Sequence, residues 1–340
     1  MIGRIIASRY QLESRLGSGA MGHVYRARHL KINRLFALKL LHTHLLANPE
    51  QRKRFRREAE LAGTLSHPNV VGVVDVGETE DGLHYIVMQL ASRPTLGDVM
   101  SAGPLGPPRV IGLVKQLCAG LHHAHERGLI HRDFKPDNVI VETDEDGRET
   151  PRIVDFGVAI VRDHASSTDR ERLTTAGLAL GTPHYMAPEN VGGEPIDHRV
   201  DLFALGIVVY EMLTGVMPFD GAGVDVARAN RSAETPAMAK RAPGVPVDPL
   251  LEAFTRRLMA KAPADRPSSA KLARDLLDAI VKDPASAAAI LGVDEPVRVL
   301  PLTSTNTPPH GVPLGADTAP ASSAPLRAAP PLRVAPPTIP

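Results

Sequence analysis

The sequence predicts an α+β fold of two lobes, a small β-rich lobe followed by a larger, mainly helical one, with a cleft between them. Three observations predict it. Apolar and polar residues alternate through most of the first ninety positions, the pattern of half-buried strands. Beyond Leu96 the apolar spacing lengthens to that of helices. A glycine-rich run, Gly17-Ser18-Gly19-Ala20-Met21-Gly22, breaks the strand region and is followed by another strand rather than by a helix.

Taken in order, Tyr10, Leu12, Ser14 and Leu16 alternate with Gln11, Glu13 and Arg15, giving a strand that ends in the glycine run. Val24, Arg26 and Arg28 alternate with Tyr25 and Ala27 in a second strand. The segment 35–41 is a third, apolar except for Lys39. Over 50–65 the period becomes helical: Phe55, Ala59, Ala62 and Leu65 share one face, and the basic run 52–57 lies largely on the other, a solvated face. Ser66-His67-Pro68-Asn69 stops that helix, and apolar strands follow over 70–76 and 85–90. Val110, Leu113, Val114, Leu117, Leu121 and Ala124 then form a long helical stripe ending at Gly128. The acidic insert 144–149 reads as a solvated hairpin turn. The run 202–210 is nearly all apolar, too short to span a bilayer and suited to a buried helix. Two amphipathic helices follow over 250–258 and 268–280.

Composition removes several classes of function. Thirty-nine Lys and Arg against 38 Asp and Glu leave a net charge of +1 with His neutral, so no overall field favours nucleic acid or an anionic membrane. The single cysteine, Cys118, excludes an internal disulfide framework and a Cys-rich zinc site, and its place beside the buried stripe suits an inert core thiol. The spacing of His122, His125 and Glu126 fits no zinc helix motif, so these are expected as surface or core side chains. No apolar stretch is long enough to cross a membrane and no signal-peptide pattern opens the chain, so the expected location is cytoplasmic, with membrane attachment only if the chain continues beyond Pro340. Twelve of the 31 prolines fall between Pro296 and Pro340, with one acidic residue, Asp317. That segment offers no apolar period to bury, and 285–340 is expected to be a disordered tail or linker.

Four motifs carry chemistry. The glycine run has the G-x-G-x-x-G spacing, in which bare backbone approaches phosphates closely and offers N–H donors. Lys39, inside an apolar strand, needs either solvent or a counter-charge, and Glu58 on the following helix is a candidate. His131-Arg132-Asp133-Phe134-Lys135-Pro136-Asp137-Asn138 follows the long helix. Asp155-Phe156-Gly157 then ends an apolar strand.

In this order and together, these motifs resemble the eukaryotic-like, or Hanks-type, serine/threonine protein kinases, most closely their bacterial branch, over roughly 10–279. The resemblance implies the bilobal protein-kinase fold, with an N-lobe at 10–91 and a C-lobe at 92–279. It implies transfer of the ATP γ-phosphate to Ser or Thr hydroxyls of proteins, with autophosphorylation in the activation loop and itself in trans among the substrates. The expected cofactors are ATP and Mg²⁺, with Mn²⁺ as an alternative ion. The expected partners are protein substrates, with no nucleic acid and no membrane segment in this chain.

By the same resemblance, Asp133 is the base that accepts the substrate proton, Lys135 reaches the γ-phosphate, and Lys39, paired with Glu58, binds the α- and β-phosphates. Asn138 and Asp155 are the metal ligands. Gly17, Ser18, Gly19, Ala20, Met21, Gly22 and His23 cover the nucleotide. Leu16, Val24 and Ala37 line the roof of the adenine slot and Ile140 its floor, Met88 is the gatekeeper, and Gln89 to Ala91 form the hinge. Thr174 and Thr175 are the phosphorylation candidates, and Arg132 is the arginine such a phosphate would meet. Thr182 serves Asp133 structurally, Glu189 closes the activation segment and pairs with Arg266, and Asp201 anchors the catalytic loop. His23 stands where an acidic or small residue is more usual and is expected to be exposed at the loop tip. Phe134 replaces a commoner leucine, and Gln89 with Leu90 replaces the usual hinge pair. A nucleotide-binding pseudokinase scaffold and a small-molecule phosphotransferase on the same fold are the alternatives. Retention of Lys39, Asp133 and Asp155 speaks against the first, and the segment Gly181-Thr182-Pro183 to Ala187-Pro188-Glu189 against the second.

Overall fold

The alternation of the first ninety residues becomes a six-stranded antiparallel sheet. Its strands are β1 (Ile5–Ile6), β2 (Tyr10–Gly19), β3 (Gly22–His29), β4 (Arg34–Leu41), β5 (Val73–Glu78) and β6 (His84–Gln89), in spatial order β1-β2-β3-β4-β6-β5. The computed structural model describes residues 1–19, 21–46, 48–91, 94–156, 183–192 and 194–294. Because side chains on a strand point alternately to its two faces, the sheet has two apolar layers. Leu12, Ala27, Phe36, Leu38, Leu40 and Val87 fill one. Leu41, Ile86 and Met88 fill the other, against Phe55 of helix α1 (Pro49–Gly63). Lys39 belongs by parity to this second layer, in register between Val24 and Ile86. The helix begins where Asn48 accepts from the Glu50 N–H and Gln51 reciprocates toward the Asn48 N–H, with Pro49 at the first position. Its basic residues 52–54 and 56–57 face solvent, as their spacing predicts.

The glycine run is less of a loop than expected. Gly17, Ser18 and Gly19 end β2, while Gly22 and His23 open β3. Gly22 has φ 152°, and a Cβ there would stand 1.9 Å from the Leu40 carbonyl oxygen, so only glycine lets the two strands close. His23 is not an exposed tip residue. It lies half-buried on β3, its ring edge-on to Tyr25 and His42 and its Nδ1 buried without a hydrogen-bond partner among the described residues, because strand pairing continues to the last residue before the turn.

The strand expected over 70–76 begins three residues late. Its first residues are drawn instead to strand β8 (Glu149–Ile153), which pairs with β7 (Val139–Thr143). Val71 N–H donates to the Ile153 carbonyl, the Ile153 N–H donates to Asn69 O, both at 2.9 Å, and the Asn69 amide donates to Pro151 O at 2.9 Å. The insert 144–148 is the exposed turn between β7 and β8.

The helical part is built from α2 (Leu96–Met100), α3 (Pro107–His125), α4 (Pro188–Gly192), α5 (Arg199–Thr214), α6 (Gly223–Ser232), α7 (Met238–Arg241), α8 (Pro249–Leu258), α9 (Ala270–Lys282) and α10 (Pro284–Leu291). The stripe predicted for α3 is buried, Cys118 with it, and burial pushes that thiol up to about 12. Helix α5 is buried on nearly all sides, the expected environment of an apolar helix. Among the described residues, no helix is long and apolar enough to cross a membrane.

Candidate active site

The chemistry-bearing residues meet beside the β7–β8 hairpin. Phe134 is buried in the helical core, so the chain dips inward at 134 and leaves Asp133 and Lys135 partly accessible on either side of it. Lys135 Nζ lies 3.5 Å from Asp133 Oδ2. The Asn138 amide donates to the Asp133 carbonyl at 2.8 Å and approaches its Oδ2 at 3.4 Å. The Asn138 NH₂ group is thereby committed to Asp133, and the amide oxygen is the acceptor that these bonds do not use.

Asp155 approaches from the other side. Its φ of 66° is one of five positive values among the described non-glycine residues, and Arg132, at 60°, is another. Strain at both, within one site, is held by the surrounding hydrogen bonds and is the kind of distortion that accompanies function. Lys39 Nζ donates to Asp155 Oδ2 at 2.8 Å, bringing the β4 lysine to the residue after the β8 strand end and Val154. Glu58 lies half-buried on α1.

The loop is organised by two buried side chains. Asp201, 1% exposed at the start of α5, accepts from the main-chain N–H groups of His131 and Arg132 and meets His125 Nε2, each at 2.8 Å. Burial works to raise the Asp201 pKa, but the bonds from His125 and the His131 N–H prevail and hold the carboxyl below its ordinary value. His131 Nε2 lies 2.8 Å from the Val154 carbonyl, so that nitrogen carries the proton and Nδ1 accepts from the Asp133 N–H at 3.3 Å. One imidazole thereby ties the strand before Asp155 to the loop that presents Asp133. Its ring packs edge-on to Phe134 and Phe156.

The residues expected to line the adenine slot come mainly from β2, β3, β4, β6 and β7. Val24, Ala37 and Ala91 are half-buried, Met88 is buried on β6, and Leu16 is exposed on β2. Ile140 on β7 bridges to Thr95. Gln89, expected in the hinge, accepts through Oε1 from Arg152 on β8 at 2.5 Å, and Arg152 also faces Glu142 at 3.5 Å. Beyond the site, Arg266 and Glu189 form a bidentate pair at 2.6 and 2.8 Å, exposed by 0% and 2%. Tyr185 donates to Glu211 at 2.8 Å, and burial raises the pKa of both groups.

Ala20, Thr174, Thr175 and Thr182 lie outside the described residues. Sequence reasoning missed the partners of known positions. His125 was expected only as a surface or core histidine, and nothing in its spacing points to Asp201. Arg152, Glu211 and Asn230 carry no local signal, since each is recognised only by what it touches.

The protein kinase domain model matches residues 10–278. The chain is 38% identical over 284 residues to the serine/threonine-protein kinase pkn3 of Myxococcus xanthus, covering 83% of this chain and 52% of that protein. It is 37% identical over 273 residues to PrkC of Bacillus subtilis, covering 80% and 40% respectively. It thus spans about half or less of the length of these relatives. Among solved structures it resembles the kinase domain of Mycobacterium tuberculosis PknI, with TM-score 0.63 at 29% identity, covering 82% of this chain and 98% of the other. With this family match and these relatives beside the Lys39–Asp155 contact and the ordered 131–138 loop, the chain belongs to the protein kinase family, in its bacterial Hanks-type serine/threonine branch.

Proposed function

We propose that the chain is an ATP-dependent serine/threonine protein kinase acting on protein hydroxyls, its own activation segment included. The observation that carries this is the convergence of Asp133, Lys135 and Asn138 on one side with the Lys39–Asp155 pair on the other. Family members in general use ATP and a divalent metal, and the donor set here fits a hard cation. Asn138 has an amide oxygen to spare because its NH₂ is committed, and Asp155 supplies a carboxylate. Mg²⁺ held by these two would screen the charge of the terminal phosphates.

The residues of the chain do the rest by positioning. Asp133 orients the incoming hydroxyl and accepts its proton. Lys135, 3.5 Å from the Asp133 carboxylate, is placed to meet the negative charge of the transferred group. Lys39 binds phosphate oxygens, for which it exchanges its bond to Asp155. Gly17 and Gly19 leave open space where a side chain would stand, so the β2–β3 hairpin can lie close over a nucleotide.

The test is transfer of labelled γ-phosphate from ATP with Mg²⁺ to the chain itself and to myelin basic protein, beside Asp133→Asn, with sites mapped by mass spectrometry. Label on Thr174 or Thr175 that disappears in the variant is expected. ATP binding without transfer to either acceptor would replace this function with that of a scaffold.

A further inference from the structure

The turn 183–186 lies in the segment 181–189 that, by resemblance, favours a protein over a small-molecule acceptor. Its carbonyls do not point to solvent. The Asn230 side-chain amide, on α6, donates toward Pro183 O, His184 O and Met186 O at 3.4, 3.0 and 3.3 Å. Three acceptors curl around one NH₂ group. Asn230 is 0% exposed, and among the described residues its Oδ1 has no hydrogen-bond partner. Burying an amide with one end unpaired is unfavourable, and an apolar side chain of the same size would avoid that penalty. Such a side chain could not make the three bonds of the asparagine, and all three fix the position of one short turn.

The amide is in turn held from behind. Lys261 Nζ donates to the Asn230 carbonyl at 2.8 Å and lies over the rings of Phe203 and Phe219, 5.7 and 5.4 Å from their centroids. Burial and the neighbouring Arg266 lower the Lys261 pKa to about 8, the mark of an ammonium kept in an unfavourable place. Arg266 also donates to the Lys261 carbonyl at 3.1 Å, which links this lysine to the buried Arg266–Glu189 pair. Against the same turn, a Cβ on Gly223 at the start of α6 would come within 2.8 Å of Pro183 Cγ. Tyr185 is anchored separately, to Glu211 on α5.

We infer that Asn230, backed by Lys261, is a positioning residue that sets the height of the 183–186 turn and with it the affinity for the protein substrate, without touching nucleotide or the transferred group. This rests on the protein-kinase function proposed above. Its signature is a split: the KM for protein substrate changes while the KM for ATP does not.

Three variants test it, with myelin basic protein as the acceptor. Asn230→Leu keeps the volume, removes the donor and also removes the unpaired Oδ1. Because three carbonyls lose that donor, it is expected to melt somewhat below wild type, and to raise the acceptor KM by about tenfold, equivalent to ~1.4 kcal/mol, with the ATP KM within about twofold. Lys261→Met keeps the stem over the two rings and removes the ammonium, and the acceptor KM is expected to rise about threefold. Gly223→Ala presses on Pro183 from the other side and should raise the acceptor KM as well, which keeps the test open if one variant does not fold. Unchanged acceptor KM in the folded variants, with wild type transferring phosphate, overturns the inference and leaves the kinase function standing. Parallel rises in the KM for ATP and acceptor also overturn it, as they signal general loosening. Absence of transfer by wild type overturns the parent function and this inference with it.

Discussion

Lys39 Nζ stands 2.8 Å from Asp155 Oδ2, closing a contact between positions 116 residues apart. Both are assigned to the handling of phosphates and metal, and in this structure each satisfies the other. Two opposite charges in a partly buried place are tolerated only when paired, so removing either one leaves the other uncompensated. Replacing the lysine by an apolar side chain of similar length removes the group that binds phosphate oxygens. Lys39→Met is expected to lower phosphate transfer by about 10²–10³-fold, measured as incorporation of label into myelin basic protein. Retention of more than about a tenth of wild-type rate would sink the role given to Lys39.

Asp201 holds three donors from one buried carboxylate. Asp201→Asn turns one accepting oxygen into a donor that faces another N–H, and is expected to destabilise the fold by about 1–3 kcal/mol, read from urea denaturation. The pH dependence has a definite sign. The folded pKa lies below the ordinary 3.8, so the contribution is complete above that value and is lost as pH falls beneath it through the folded pKa. Wild type should therefore lose stability in that acid window faster than the variant.

Arg266 and Glu189 are a buried pair whose members cannot be removed singly without consequence. Arg266→Leu leaves the Glu189 carboxylate and the carbonyls of Ala260, Arg199 and Lys261 without their donor. An expected loss of about 3–5 kcal/mol follows, whereas the double variant Arg266→Leu with Glu189→Leu should recover part of it. A double variant no better than the single one would show that packing, not charge, holds this region.

Lys261 predicts a stability trend at alkaline pH. Its folded pKa of about 8 is below the ordinary 10.5, so across that interval the unfolded chain binds more protons than the folded one. The contribution of this residue to stability rises with pH between about 8 and 10.5 and is lost as pH falls through 8. Melting curves of wild type and Lys261→Met, taken at pH 7.5 and about pH 10, should show the difference moving in favour of wild type. A constant difference would refute it.

Cys118 offers a simple probe of opening. It is the one cysteine, 0% exposed, with its thiol pushed up to about 12. A maleimide at neutral pH is expected to leave the native chain unlabelled and to label it fully in denaturant. Rapid labelling of the native protein would contradict the burial of the α3 stripe.

The secondary structure was largely legible because it follows local periodicity. The α1 helix, the α3 stripe and the alternation in β2 to β4 need only the residues they contain. The proposed site was legible for a different reason: Gly22, Lys39, Asp133, Asn138 and Asp155 are residue types that suit phosphate and metal chemistry, at a spacing that resembles one family. Local pattern failed where a distant segment competed for the same backbone. Val70 and Val71 have strand character, yet β8 takes their hydrogen bonds and β5 starts at Val73. His23 has the look of a loop-tip residue, yet strand pairing runs through it.

Side-chain partnership was decided by the tertiary structure alone. Nothing near His125 names Asp201, nothing near Gln89 names Arg152, and nothing near Asn230 names the carbonyls of Pro183, His184 and Met186. The physical reason is range. Periodicity and turn chemistry act over a few residues, whereas a buried polar group must find its partner wherever packing brings one, at separations of 76, 63 and 44 to 47 positions in these three cases. The chemistry of this chain is written in residue types along the sequence, and its geometry is set by buried hydrogen bonds that only the assembled lobes can form.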